Sequence, residues 1–162
     1  MPSLGLGSIG AKEKSRTPKV IADHDFDSGT EGFTGSNANI STTSAGLETP
    51  CIKVDCTATY GYAYKQYTVT PSTKYYWRIR LATSEVGSGN KRIRWGETQG
   101  NSEYAGSGTG IIHNTPHQLG AFISGSFTTG GSITSVWLSL QQQISGKWAG
   151  WDDVLLETYD DE

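Results

Sequence analysis

Trp148-Ala149-Gly150-Trp151-Asp152-Asp153-Val154-Leu155-Leu156-Glu157 is the stretch on which the reading of the fold turns. Aromatic and branched apolar residues dominate it and proline is absent, so it reads as a strand. Strict alternation would set Asp152 on the same face as Val154 and Leu156. A carboxylate on the apolar face of a core strand must be paired, hold a metal ion or sit at the wet end of the sheet. Asp152 is therefore the first residue for which a role is sought.

Working outward, the chain repeats this type of segment. With 162 residues it is long enough for one domain with its own core. Glycine occurs 21 times, tyrosine 8 times and tryptophan 5 times, while charged residues make up only 18%. Helical amphipathic windows are scarce, and short alternating runs bounded by Gly, Ser, Thr and Asn recur, which is an all-β pattern. The net charge of −3 gives no global field toward nucleic acid or an anionic membrane. No stretch approaches the roughly 20 apolar residues of a membrane span. The first residues also lack the unbroken apolar core of a secretory signal.

Strands are expected over Val20–Phe26, Asn39–Thr42, Cys51–Thr57, Tyr60–Thr70, Lys74–Leu81, Lys91–Trp95, Leu119–Thr128, Ser132–Gln143 and Trp148–Glu157. Short strands at this spacing predict an all-β two-sheet sandwich. Tyr60, Tyr62 and Tyr64 fall on one face of their strand, Tyr67 and Val69 on the other. In Lys74–Leu81 the residues Tyr75, Trp77, Ile79 and Leu81 form the core face, and Tyr76, Arg78 and Arg80 the opposite one. Lys91–Trp95 repeats this, opposing Ile93 and Trp95 to Arg92 and Arg94. Val136, Leu138 and Leu140 face inward, and Ser135, Trp137, Ser139 and Gln141 outward. A long Gly- and Ser-rich loop is expected between Gly96 and Gln118. Cys51 and Cys56 lie on opposite faces of one strand, about 16 Å apart, too far for a disulfide.

Three pieces of sequence resemble a known family. Phe26-Asp27-Ser28-Gly29-Thr30-Glu31-Gly32-Phe33 resembles the F-E-x-G-x-x-G-W opening of jelly-roll carbohydrate-binding modules. Val69-Thr70-Pro71-Ser72-Thr73-Lys74-Tyr75 is similar to their V-x-P-G-x-x-Y, and Trp151-Asp152-Asp153-Val154-Leu155-Leu156 to their closing F-D-D-V-x-L. The resemblance covers residues 20–159 and implies the galactose-binding-like fold, an all-β two-sheet jelly-roll sandwich. It also implies one structural calcium ion held by Asp27 and Asp152, with Asp25 as an accessory. Here Asp27 stands where glutamate is usual, and backbone carbonyls and waters would complete the shell. The alternative is that Asp152 caps backbone N–H groups or pairs with an arginine.

Residues 1–19 differ from the rest. Leu4, Leu6 and Ile9 are spaced by glycines, and Lys12, Lys14, Arg16 and Lys19 follow against a single Glu13. They read either as a tail or as an attachment arm that orders on a partner. This leader before a β domain is similar to small structural proteins of tailed bacteriophages. That resemblance implies a virion-surface location, on capsid or tail, with other virion proteins as partners. Residues 160–162 form an acidic tail.

An enzyme is not expected. Neighbouring carboxylates in a strand (Asp152 with Asp153) face apart, and His24, His113 and His117 lack companions at a metal-motif spacing. A glycan-binding face is expected instead, because sugars are held by flat aromatic faces and planar polar groups. Tyr76, Arg78, Arg80, Arg92, Arg94, Trp137 and Gln141 would line it, provided that their strands are neighbours. The same surface also suits a protein interface, including one with copies of this chain. The expected role is a virion component displaying a carbohydrate-binding-like jelly roll. The alternative is an extracellular stand-alone module of a bacterial glycan-degrading system.

Overall fold

The computed structural model describes residues 16–44, 50–84, 89–104, 111–112 and 120–159. Among these there is no helix, and the strands are β1 (Pro18–His24), β2 (Thr34–Ser36), β3 (Ala38–Thr43), β4 (Cys51–Cys56), β5 (Gly61–Thr68), β6 (Lys74–Ser84), β7 (Lys91–Gly96), β8 (Ile111–Ile112), β9 (Phe122–Thr128), β10 (Ser135–Gln142) and β11 (Trp148–Tyr159). They form two antiparallel sheets. The six-stranded sheet runs β3-β4-β11-β6-β9, with β1 also paired to β11, and the five-stranded sheet runs β2-β5-β10-β7-β8.

The stretch quoted first is the spine of the larger sheet. One edge of β11 is divided between two partners: Trp148–Trp151 pair with β4, and Val154–Tyr159 pair with β1. Its other edge pairs with β6 throughout. The alternation expected there is broken once. Asp152 lies opposite Arg80 and Leu155 opposite Arg78, so three residue steps on β11 match two on β6. The extra residue is a β-bulge, and Asp153 takes φ +49° to make it. The bulge reverses the parity, so that Trp151, Val154 and Leu156 all enter the core. Asp152 does not share their face. It points outward, opposite Arg80.

The core lies between the sheets. Trp95, fully buried, has ring centroids 5.8 Å from Tyr67, 6.4 Å from Trp77 and 5.6 Å from Phe127. Burying each such side chain is worth about 1.5–3 kcal/mol. The opening motif plugs one end of the sandwich. Phe26, Glu31 and two glycines, Gly29 and Gly32, all adopt positive φ. The turn is held because Glu31 Oε1 accepts a 2.8 Å hydrogen bond from the Phe26 amide. Glu31 also contacts His24 Nδ1, and Lys65 donates to its carbonyl. Phe26 and Phe33 are thereby driven inward, 5.6 Å apart.

Pro18 and Lys19, expected in the arm, are the first residues of β1 and pair with Tyr159 and Thr158. Arg16 and Lys19 border a cleft of about 430 Å³ with Lys74, Tyr76 and Tyr159. The remaining arm residues, Leu4, Leu6, Ile9, Lys12 and Lys14, lie outside the described residues, as do His113, His117 and 160–162. Cys51 and Cys56 are free, buried thiols, as expected.

Candidate functional site

Sheet membership decides which of the expected site residues meet. β6 belongs to the six-stranded sheet, and β7 and β10 to the five-stranded one. Tyr76, Arg78 and Arg80 therefore face away from Arg92, Arg94, Trp137 and Gln141, on the opposite side of the molecule. The single ligand face expected from sequence is two faces. Alternation along each strand was right; the neighbour relation between the strands was not.

On the five-stranded sheet, register builds a grid. Trp137 lies between Gln66 and Gly96, Ser139 between Tyr64 and Arg94, and Gln141 between Tyr62 and Arg92. The rows from Trp137 to Gln141 span about 14 Å, four residue steps. Tyr62 and Tyr64 stack with centroids 5.2 Å apart and an interplanar angle of 17°. Gln141 is fully buried, and among the described residues neither its Nε2 nor its Oε1 has a hydrogen-bond partner. A buried primary amide with nothing to bond costs about 1–3 kcal/mol, which a structural role does not require.

The segment 97–104 folds over the middle row. Gly100 N donates to Ser139 Oγ at 3.2 Å, and Arg94 Nη1 donates to Gly100 O at 3.0 Å. Gly100 has φ +83°, and a Cβ there would stand 3.6 Å from Tyr64 Oη, so the loop rests on that ring. Gly96 admits the same loop: a Cβ would come within 2.5 Å of Glu103 Oε2. Glu103 accepts from Glu97 N and from Asn101 Nδ2, which fixes the loop's shape. Burial raises the Tyr64 hydroxyl pKa, with the nearby Tyr62 adding to the rise and Arg94 opposing it. The face is thus divided into a Trp137 end and an end formed by Tyr62, Gln141 and Arg92. Tyr62 and Tyr64 were read as sharing a face and Ser139 as outward, but none was assigned to the site, because only register shows their rows.

The other face is built differently. Arg80 Nη2 donates to Asp152 Oδ2 at 2.8 Å, and its Nε lies 2.7 Å from Asp153 Oδ2. Asp152 Oδ1 also accepts from the Asp153 amide at 2.8 Å. The bulge brings both carboxylates to one guanidinium, correcting the expectation that they face apart. Burial raises the Asp153 pKa, Asp152 raises it further, and Arg80 opposes both. Arg78 and Arg80 lie 4.5 and 5.6 Å from the ring centroid of Phe122, which is 49% exposed. Beside them a depression of about 400 Å³ is bordered by Tyr76, Arg78, Ser124, Ser126, Leu155 and Glu157.

These carboxylates do not fit a calcium cage. Asp152 is committed to Arg80 and to a backbone amide, the second of the two readings given above. Asp25 and Asp27 are exposed on the opening turn, where Asp25 accepts from the Asp27 amide. Among the described residues no group of three or more His, Cys, Asp or Glu side chains is placed to hold a metal ion. A guanidinium occupies the role in which a cation was expected.

Solved structures share this architecture. The CBM22-1 xylan-binding domain of Paenibacillus barcinonensis Xyn10C superposes with a TM-score of 0.65 at 12% identity, over 91% of this chain and 99% of that one. The fold is a carbohydrate-binding-module jelly roll. The CBM22-1–GH10 modules of Clostridium thermocellum xylanase 10B, complexed with xylohexaose, give 0.63 at 14% identity over 85% of this chain, which spans only 28% of that longer protein. A cleaved adhesin domain of Porphyromonas gingivalis Lys-gingipain gives 0.54 at 10% identity, over 86% of this chain and 100% of that one. No protein-family model and no curated protein sequence matches the chain.

Proposed function

We propose that this protein is a non-catalytic glycan-binding module whose ligand lies on the outer face of the five-stranded sheet. The observation that carries this reading is the end formed by Tyr62, Gln141 and Arg92. It joins an aromatic ring, a buried amide with both hydrogen-bonding atoms unused, and a planar cation. Hydroxyl groups of a sugar would supply what Gln141 lacks once its side chain turns outward between Tyr62 and Arg92, and the half-buried Tyr62 ring offers an apolar surface. The fold likeness to a xylan-binding domain supports the class of ligand. The loop over Ser139 restricts the site to part of the face.

The setting we propose is a phage virion surface, with the segment before Pro18 attaching the jelly roll to capsid or tail. This finer reading rests on the leader sequence. A stand-alone module of a bacterial glycan-degrading system fits the fold equally well. Quantifying the protein in purified particles distinguishes the two settings.

The binding test is fluorescence and calorimetric titration with a panel of plant and bacterial polysaccharides. Binding should be lost in Tyr62→Ala and Gln141→Ala with the fold retained. Unchanged affinity in both variants would remove the site from this face, and no binding across the panel would remove the function.

A further inference from the structure

Arg92 and Arg94 are two residues apart on one strand and point the same way, placing their Cα atoms about 7 Å apart. Both are half-buried. Among the described residues neither has a carboxylate partner: Arg94 donates only to the Gly100 carbonyl, and Arg92 has no hydrogen bond or ion pair. The outward positions of β10, which neighbours β7, and of β5 beyond it carry no acidic residue, and the strand on the other side of β7 is β8, Ile111–Ile112. Two half-buried like charges without compensation are unfavourable, and they are not needed to hold the sheet together. The opposite face shows what compensation looks like in this molecule, where Arg80 has two carboxylates.

Resting on the glycan-binding reading, we infer that the ligand is an acidic polysaccharide, one whose sugar carboxylates are taken by Arg92 and Arg94. The guanidinium is a planar fork that matches a carboxylate through two parallel N–H···O bonds. Tyr62 and Gln141 beside Arg92 receive the ring and hydroxyls of the same residue. Among the described residues, the acidic side chains near this face are Glu97 and Glu103, on the loop beside Gly96. They disfavour a carboxylate at the Trp137 end and direct it to the Arg92 end. Nucleic acid is the weaker match. Its binding sums many phosphate contacts, whereas this face offers two arginines on a protein of net charge −3.

The experiment uses the full chain and paired polymers: polygalacturonate and its fully methyl-esterified form, alginate, neutral xylan, heparin and single-stranded DNA. Polygalacturonate or alginate should bind at least about tenfold more tightly than the methyl ester and xylan, and this preference should shrink as salt rises. Arg92→Gln should remove the preference, while Arg78→Gln on the opposite face should leave it intact. Binding of xylan or the methyl ester as tightly as the acids overturns the inference and leaves the glycan site standing. Heparin or DNA binding more tightly than the acidic glycans, with the same dependence on Arg92, also overturns it. No binding to any glycan overturns both. The salt dependence of the unmodified protein decides the matter even if Arg92→Gln fails to fold.

Discussion

The two outer faces of this sandwich both carry arginines beside aromatic rings, and they use them for different ends. On the six-stranded sheet Arg80 is 15% exposed in its side chain and is neutralised by Asp152 and Asp153. Arg80 has no charge left for a ligand to complete, and Arg78 beside it is exposed and lies over the Phe122 ring. On the five-stranded sheet, among the described residues, Arg92 and Arg94 stand without carboxylates, next to an amide with no partner. The lesson is that residue type and alternation do not separate a neutralised cation from an uncompensated one. The partner on the next strand does.

The comparison can be broken most forcefully at Asp152. Asp152→Ala leaves the largely buried Arg80 guanidinium with Asp153 alone and should cost about 2 kcal/mol in urea unfolding. A loss below about 1 kcal/mol would mean that this pair contributes no more than an exposed one. A second test contrasts Arg92 with its neighbour Lys91, which points inward and is fully buried. Burial lowers the Lys91 pKa from the ordinary 10.5 to about 8. The unfolded chain then holds more protons above pH 8, so stability should rise with pH from about 8 toward 10.5. Cys51, raised from 9.0 to about 11 chiefly by burial, acts in the opposite sense above pH 9. The rise should therefore be clearest between pH 8 and 9, and Lys91→Met should abolish it.

Smaller effects sharpen the same contrast. Gln141→Leu removes an unsatisfied buried amide and should add about 1 kcal/mol of stability while weakening glycan binding. Loss of stability in that variant would show that the amide is already satisfied. Arg92→Ala should change stability by less than about 0.5 kcal/mol, in contrast with Asp152→Ala on the other face. Calcium addition or chelation should give no measurable shift in Tm, and a clear rise with calcium would restore the metal reading of Asp27 and Asp152.

Much of the sandwich was legible because its strands are long enough to alternate. β6, with Tyr75, Trp77, Ile79 and Leu81 inward, and β10, with Val136, Leu138 and Leu140 inward, were read correctly from period two. Thr34–Ser36 was missed because three small or polar residues carry no period, and Ile111–Ile112 because two residues carry none. The bulge was illegible for another reason. Asp153 at φ +49° is a local conformation selected by the fit of β11 to β6, and no composition signal announces it. The site was half legible. Arg92, Arg94, Trp137 and Gln141 were found together, whereas Tyr76, Arg78 and Arg80 were added to them because order along the chain does not tell which sheet a strand joins. Tyr62, Tyr64 and Ser139 needed the register, and the covering loop needed the Gly100 contacts.

The pairing of Pro18 with Tyr159 has a mechanical meaning. Residues 18 and 159 lie side by side at one end of two antiparallel strands whose hydrogen bonds run across the gap between them. A force pulling these two points apart would load those bonds one after another and peel β1 from β11, as a zip opens. Tension transmitted through only one of the two points would not cross the pair. A domain with this layout holds best when it hangs from a single end, with both sheet faces turned away from the tether.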